Sequence, residues 1–422
     1  MSSVCFYFQV HQPRRLYQGH VIDVGGVCTP EKLDKAIFDD GKNKEVFLKV
    51  LNKCYLPTNN IMLDKIDEFR NDKKKFKICY SMPGIFVEQM EKWSPDLLET
   101  FKQMAKSGCV EFLNETYFHS LSSFWGKQIY RPEFREQVEL NHELIRDVIG
   151  YDPKVFRNTE LLYNTEIAQT VEKLGYKGIF AEGVERVLDG WKSPEHLYSP
   201  PNSNIRVLLR HYKLSDDMSY RFSARWFPEW PITAEKFSSW VASCQGETIN
   251  LCMDYETFGE HLWEDTGIFW YLKALPGEIL KWDHVDFATP SETIDRYPVR
   301  GEIDVDSFST ISWADMERDP SAWLGNNMQR LIFNELERIG KFVKKADDAQ
   351  LIKIWRYLQT SDHLYYMCTK SWSDGDVHKY FSPYGTPHEA FEGMIKAISQ
   401  IEYIANRIIR KRGLENYENS NM

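Results

Sequence analysis

Among its eight cysteines the 422-residue chain has no C-x-x-C pair, and their spacing resembles neither a zinc knuckle nor a disulfide framework. Several, such as Cys5, Cys79 and Cys252, sit inside apolar strand-like runs, where cysteine behaves as a small buried hydrophobe. Reduced thiols in a cytoplasmic protein are the simplest expectation. No apolar run approaches the roughly 18 residues of a membrane span, so no membrane partner is expected. Met1-Ser2-Ser3 carries no basic side chain, and the run from Val4 to Phe8 leads into His11, which reads as a first strand and not as a signal peptide. Positive charge is not in excess: 52 Lys and Arg face 62 Asp and Glu, for a net charge of −10, which argues against nucleic acid as a main partner. There is no G-x-S-x-G elbow and no H-E-x-x-H, and Gly25-Gly26 lacks the Lys-Ser/Thr of a phosphate loop. Internal repeats and low-complexity stretches are also missing.

What is present is an ordinary globular composition, 42% apolar and 27% charged, in a chain long enough to bury a large core without staples. Aromatics are abundant: 13 Trp, 22 Tyr and 25 Phe make up 14% of the residues. Most are expected to fill the core; a minority suit a groove for the flat, partly apolar face of a sugar.

Seven short β-rich runs, at 4–11, 76–82, 109–115, 155–160, 178–183, 205–211 and 248–256, alternate with helical patterns such as Phe134 to Ile149 and Thr165 to Leu174. Repeated βα units imply parallel strands, and seven of them suggest a barrel over 1–282. Each run ends in polar or ionisable residues: His11-Gln12, Tyr80-Ser81, Asn114-Glu115, Asn158-Thr159-Glu160, Glu182, Arg210-His211 and Asp254-Tyr255-Glu256. In barrel enzymes that face carries the active site. Residues 283–320 read as an irregular acidic loop or lid. Helical stripes then return: Leu331, Leu336, Ile339 and Val343; Leu351, Ile354, Trp355 and Leu358; and Phe391, Met394, Ile395, Ile398, Ile401, Ile404 and Ile408. They predict a three-helix bundle over 321–414, ahead of a frayed polar tail at 415–422.

Asp254 and Glu256, two apart at a strand end, are expected on one face, where one carboxylate raises the pKa of the other. Glu160 comes from a different strand. Carboxyl groups from two strands facing one cavity suit glycoside hydrolysis. A metal held by Asp254, Glu256, Glu260, His261 and His11 is the rival reading of the same residues, although no histidine pair sits at ligand spacing.

The motifs resemble those of glycoside hydrolase family 57. Phe6-Tyr7-Phe8-Gln9-Val10-His11-Gln12-Pro13 looks like its opening motif, and Gly108-Cys109-Val110-Glu111-Phe112 like its second region. Phe156-Arg157-Asn158-Thr159-Glu160, Met253 through His261, and Ser321 through Gln329 resemble the third, fourth and fifth, in order over residues 4 to 329. The resemblance implies an incomplete TIM-like (β/α)7 barrel, with the C-terminal helices contributing to the active site. It also implies a retaining, metal-independent attack on α-1,4-glucans, with no cofactor. Glu160 would be the nucleophile and Asp254 the acid/base, their carboxyl groups about 5–5.5 Å apart. His11, Gln12, Glu111, Glu256, His261, Asn327, Trp226 and Trp323 would bind substrate, Trp323 as a stacking platform. Leu161-Leu162-Tyr163-Asn164 after the nucleophile looks like the α-amylase-type subgroup. A 4-α-glucanotransferase or branching enzyme would use the same two carboxylates. A metal-dependent polysaccharide deacetylase and a catalytically silent glucan-binding protein are the readings from other classes.

Overall fold

The computed structural model describes residues 1–18, 29–126 and 131–413; Gly25-Gly26, Cys28 and the 415–422 tail lie outside the described residues. Ten strands are found there: β1 (Ser2–Gln9), β2 (Ile78–Ser81), β3 (Val110–Leu113), β4 (Val155–Arg157), β5 (Gly178–Glu182), β6 (Leu197–Ser199), β7 (Arg206–Arg210), β8 (Thr248–Asp254), β9 (Val285–Phe287) and β10 (Val299–Glu302). Parallel pairing links β8, β1, β2 and β3 in that order, and separately β4, β5, β7 and β8. The joint between β3 and β4 is a single parallel bridge. In it the Asn114 N–H donates to the Val155 carbonyl (3.0 Å) and the Arg157 N–H to the Asn114 carbonyl (2.8 Å). Seven parallel strands therefore close a ring, the (β/α)7 barrel that the seven runs predict. Seven strands in place of eight make it an incomplete relative of the TIM barrel, and its thinnest joints are that bridge and the lone Arg210–Asn250 pair between β7 and β8.

Strand alternation sorts the side chains. Val4, Phe6 and Phe8 of β1, Ile78 and Tyr80 of β2, and Ile249, Leu251 and Met253 of β8 face outward into one large core with the surrounding helices. Cys5 and Tyr7, Cys79, Leu113, Val155, Phe180, Leu208 and Cys252 face inward and fill the barrel. Continuing each inward row by two residues brings Gln9, Ser81, Glu115, Arg157, Glu182, Arg210 and Asp254 to the carboxyl ends of the strands. The polar endings seen in the sequence thus form the top layer of one interior. All seven cysteines among the described residues are free; Cys5 and Cys79 lie with their sulfurs 3.7 Å apart.

The segment 283–320 is not the irregular loop expected. β9 pairs with the first residues of β1, and a helix, Pro290–Arg296, follows it before β10 joins β6. Thr289 and Glu292 form a capping box with Pro290 in the first turn, a start signal in the sequence that the acidic composition obscured. Ile294 and Tyr297 pack against the inward cluster, and Ile294 abuts Gly178 at the start of β5, so this helix closes the amino end of the barrel.

Two compact units emerge: residues 1–12, 45–117 and 126–313 form the barrel unit, and residues 13–44, 118–125 and 314–422 the helical unit. In the helical unit the three expected stripes form helices Asn327–Ala346, Ala349–Tyr357 and Pro387–Lys411. Leu331 is exposed and Ile332 takes its place in the buried stripe. Trp355 lies against Gly340, where an added Cβ would come within 2.5 Å of the indole, and its N–H donates to the Leu336 carbonyl (2.9 Å). Helix Pro30–Ile37 belongs to this unit, which sequence position alone had placed with the barrel. No helix among the described residues is long and apolar enough to cross a membrane.

Candidate active site

The turn after β4 is held in an unfavourable conformation. Glu160 and Leu161 are both left-handed, with φ of 57° and 51°, a state that side chains with a Cβ seldom adopt. Asn158 secures the turn on one side: its carbonyl accepts from the Leu161 N–H (2.9 Å) and its side chain donates to the Leu162 carbonyl (2.9 Å). On the other side the Ser312 hydroxyl donates to the Glu160 carbonyl (2.8 Å). The result fixes a carboxylate, because the Trp313 indole N–H donates to Glu160 Oε2 at 3.0 Å. Beneath that indole lies Arg157, the last residue of β4, its guanidinium 4.7 Å from the ring centroid. Arg157 is completely buried, and none of its three guanidinium nitrogens has a hydrogen-bond partner among the described residues. Its positive charge stays inside the barrel mouth.

Asp254 ends β8, in register with Gln9 of β1, which is in register with Ser81 of β2. Gln9 accepts from the Ser81 hydroxyl (2.7 Å) and donates to Glu115 Oε1 (2.8 Å), so a third inward carboxyl group is tied to the same rim. Thr116 and Thr159 share a hydrogen bond of 2.8 Å that joins the loops after β3 and β4.

Glu256 was expected to continue the strand beyond Asp254. The chain instead leaves β8 there, and Tyr255–Thr257 form a single tight helical turn. Glu256 is buried, and its pKa is pushed up to about 8, by burial first and by the charge of Asp254 second. It is therefore a neutral acid at pH 7. Tyr55 (2.5 Å) and the His11 N–H (3.3 Å) both donate to its Oε1. Tyr55 closes a π-helical turn, Leu51–Tyr55, and in turn accepts from Gln12 (3.2 Å). Such wide turns concentrate at functional sites. His11, Gln12, Asp254 and Glu256 are thus brought together. His261 is near them in chain, its N–H on the Glu256 carbonyl (2.9 Å); burial holds its imidazole down to about 4, so it is neutral.

Other expected substrate contacts are placed elsewhere. Glu111 is buried inside the barrel and accepts from both the N–H (2.9 Å) and the hydroxyl (2.7 Å) of Ser291, in the helix that closes the amino end. It stands two residues before the end of its strand, two inward layers below Glu115 at the polar rim. Trp226 is 76% exposed in a loop and packs on Phe227, with a ring separation of 6.3 Å. Trp323 is only 2% exposed and lies against Tyr365 in the helical unit, so it packs as an anchor and not as an open platform. Asn327 opens helix Asn327–Ala346 and accepts from Arg330 (2.9 Å).

Trp313, Tyr55 and Arg157 are the partners that sequence reasoning missed. Trp313 lay in a segment read as irregular, and Tyr55 in an unremarked helix. Arg157 was legible as the inward neighbour of Glu160 on a short strand. For metals, Glu260 does not join the set weighed for it, because its carboxylate pairs with Lys49 and with Lys53 (3.8 Å). Among the described residues, the His, Cys, Asp and Glu groups close enough to share an ion are Glu195–His211–Cys244 and Asp315–Glu317–Asp374, and neither includes a member of the set weighed above.

The sequence model of glycosyl hydrolase family 57 matches residues 5–306. A Methanocaldococcus jannaschii protein named "Putative alpha-amylase" is 46% identical over 416 residues, 97% of this chain and 86% of that one. Among solved structures, a branching enzyme of the same family from Thermococcus kodakaraensis superposes with a TM-score of 0.66 at 15% identity, covering 99% of this chain and 92% of that one. A 4-alpha-glucanotransferase from Thermococcus litoralis gives 0.60 at 17%, over 94% of this chain and 59% of that longer chain. By the family match and the identity to the archaeal relative, the chain belongs to glycosyl hydrolase family 57.

Proposed function

We propose that the protein is a retaining glycoside hydrolase of α-1,4-glucans, with Glu160 as nucleophile and Asp254 as general acid/base. The observation that carries this reading is the strained turn that fixes the Glu160 carboxylate under the Trp313 N–H, beside the buried charge of Arg157. Strain of this kind persists where the surroundings over-determine it, and such places cluster at active sites. β4 and β8 stand three strands apart in a ring of seven, which supports Glu160 and Asp254 as a pair acting from opposite sides of the mouth. A seven-stranded ring with about 4.8 Å between tilted strands is about 13 Å across. An Asp and a Glu reaching inward close most of that gap, towards the about 5–5.5 Å of a retaining pair.

In the first step Glu160 attacks the anomeric carbon and forms a glycosyl ester while Asp254 protonates the departing oxygen. Water then enters, Asp254 takes its proton, and the ester breaks to release sugar of the original configuration. The Trp313 N–H holds the Glu160 carboxylate aimed, and Arg157 places a buried positive charge against the face of the same indole. Glu256, its pKa raised by burial and by the charge of Asp254, is a buried proton-holding neighbour of the acid/base. His11 and Gln12, on the same rim, are placed to bind sugar hydroxyls. The free cysteines fit a reducing compartment, and we assign the protein to the cytoplasm.

Incubation with maltoheptaose and separation of the products tests the reading. Shorter sugars alone mean hydrolysis. Longer sugars mean that another glucan intercepts the ester, the transferase outcome. An unchanged substrate contradicts both.

A further inference from the structure

A cavity of about 900 Å³ opens on the outer flank of the barrel, between helices Leu56–Glu68 and Ile268–Leu280 and the loop that follows Glu256. The lining comes mainly from the amino-terminal halves of both helices, from Asn52 and Lys53 before the first, and from the loop that carries the chain away from the end of β8. The cavity therefore begins near the active-site rim and lies outside the ring. Two indoles stand at it, Trp263 and Trp270, 54% and 76% exposed. Between them the lining offers Asn52, Asn60, Asp64 and Asp265, amides and carboxylates that can hydrogen-bond hydroxyl groups. Exposed indoles beside small polar groups, in a cleft of this size, suit a ligand with flat apolar faces and a hydroxylated edge.

The platform is built before any ligand arrives. Trp263 donates its indole N–H to the Glu260 carbonyl (3.1 Å), which fixes the plane of the ring although most of it is open. The Glu260 carboxylate holds Lys49 and Lys53, and the Lys53 ammonium sits 4.5 Å from the centre of the Trp263 ring. Gly259, at φ 114°, lets the loop press onto the Lys53 carbonyl, where a Cβ would approach within 2.0 Å. A side chain locked in this way loses little freedom on binding. None of these groups is used by the chemistry derived above.

We propose that this groove is a second, non-catalytic binding site for an α-glucan chain, with Trp263 and Trp270 stacking on successive sugar faces. It anchors polymer beside the active site. The inference of the ligand class rests on the proposed glucan activity; the groove itself does not.

Gel electrophoresis through glycogen, run beside turnover of maltotriose, tests it on the full chain. The Trp263→Ala/Trp270→Ala variant should lose at least about tenfold in glycogen affinity while cleaving maltotriose within about twofold of wild type. Trp270→Ala alone, on an exposed helix face where folding is not at risk, should weaken retardation by a smaller factor. Retardation of both variants equal to wild type overturns the groove. So does a wild type that cleaves glucans yet migrates freely, an outcome that leaves the catalytic reading intact. A wild type retarded through the two indoles but inert towards every α-glucan supports the groove and sinks the catalytic reading. Self-association lost in the double variant, with glycogen affinity unchanged, assigns the indoles to a contact between copies and overturns the sugar site.

Discussion

Glu256→Gln is the perturbation whose size the structure sets most clearly. Glu256 is buried and its pKa stands near 8 in the folded protein, against an ordinary value of 4.5. The folded chain keeps this proton while the unfolded chain gives it up, so the folded state binds more protons between those two values. Its contribution to stability is fully present below about pH 4.5 and is lost as pH rises through about 8. Between pH 5 and pH 8 the loss amounts to about 3 to 4 kcal/mol. Glutamine has no proton to lose. Its carbonyl can still accept from Tyr55 and the His11 N–H, and its amide replaces the other oxygen. Urea unfolding of both proteins at pH 5 and pH 8 isolates the effect, because titrating groups that do not interact with Glu256 cancel in the difference. The variant should gain about 3 to 4 kcal/mol on wild type over that interval. Parallel stabilities at the two pH values would refute the assignment of Glu256 as a buried neutral acid.

Three further outcomes follow from the same geometry. Trp313→Phe keeps the ring over Arg157 but removes the donor to Glu160; kcat should fall about tenfold with the melting temperature little changed, and an undiminished kcat would remove the indole from the mechanism. Arg157→Met removes the buried guanidinium that supports the Trp313 ring, so kcat for maltoheptaose should fall about tenfold, and an unchanged kcat contradicts that role. Glu111→Gln weakens the tie to Ser291 at the closed end of the barrel, so stability should drop by about 1–3 kcal/mol while KM for maltoheptaose stays as it was; a raised KM would return Glu111 to the substrate.

The barrel was legible because its strands are covered on both faces and read as apolar runs with polar ends. Period-two alternation then carries Gln9, Arg157 and Asp254 to one interior. Glu111 was misplaced for the same reason that it is interesting: a motif match gives identity, whereas depth along the strand decides whether a carboxylate faces substrate or a helix start. Trp323 illustrates a related limit, since a tryptophan in a motif does not announce whether its face is open. Trp313 and Tyr55 act through contacts that span 153 and 201 residues, to Glu160 and Glu256. No local pattern encodes such pairs. The helix Pro290–Arg296 is a different kind of miss, because its Thr289–Glu292 capping box was present and outweighed by an acidic, proline-marked composition.

Azide rescue of the two carboxylate variants tests the central claim most directly. With an activated α-glucoside, Glu160→Gly should be inert alone and regain turnover with azide, giving the β-glucosyl azide by a single displacement. Asp254→Gly should instead give the α-glucosyl azide, because Glu160 still forms the ester that azide resolves. The reverse configurations, or wild-type-like turnover of Glu160→Gly without azide, would contradict the assignment of nucleophile and acid/base.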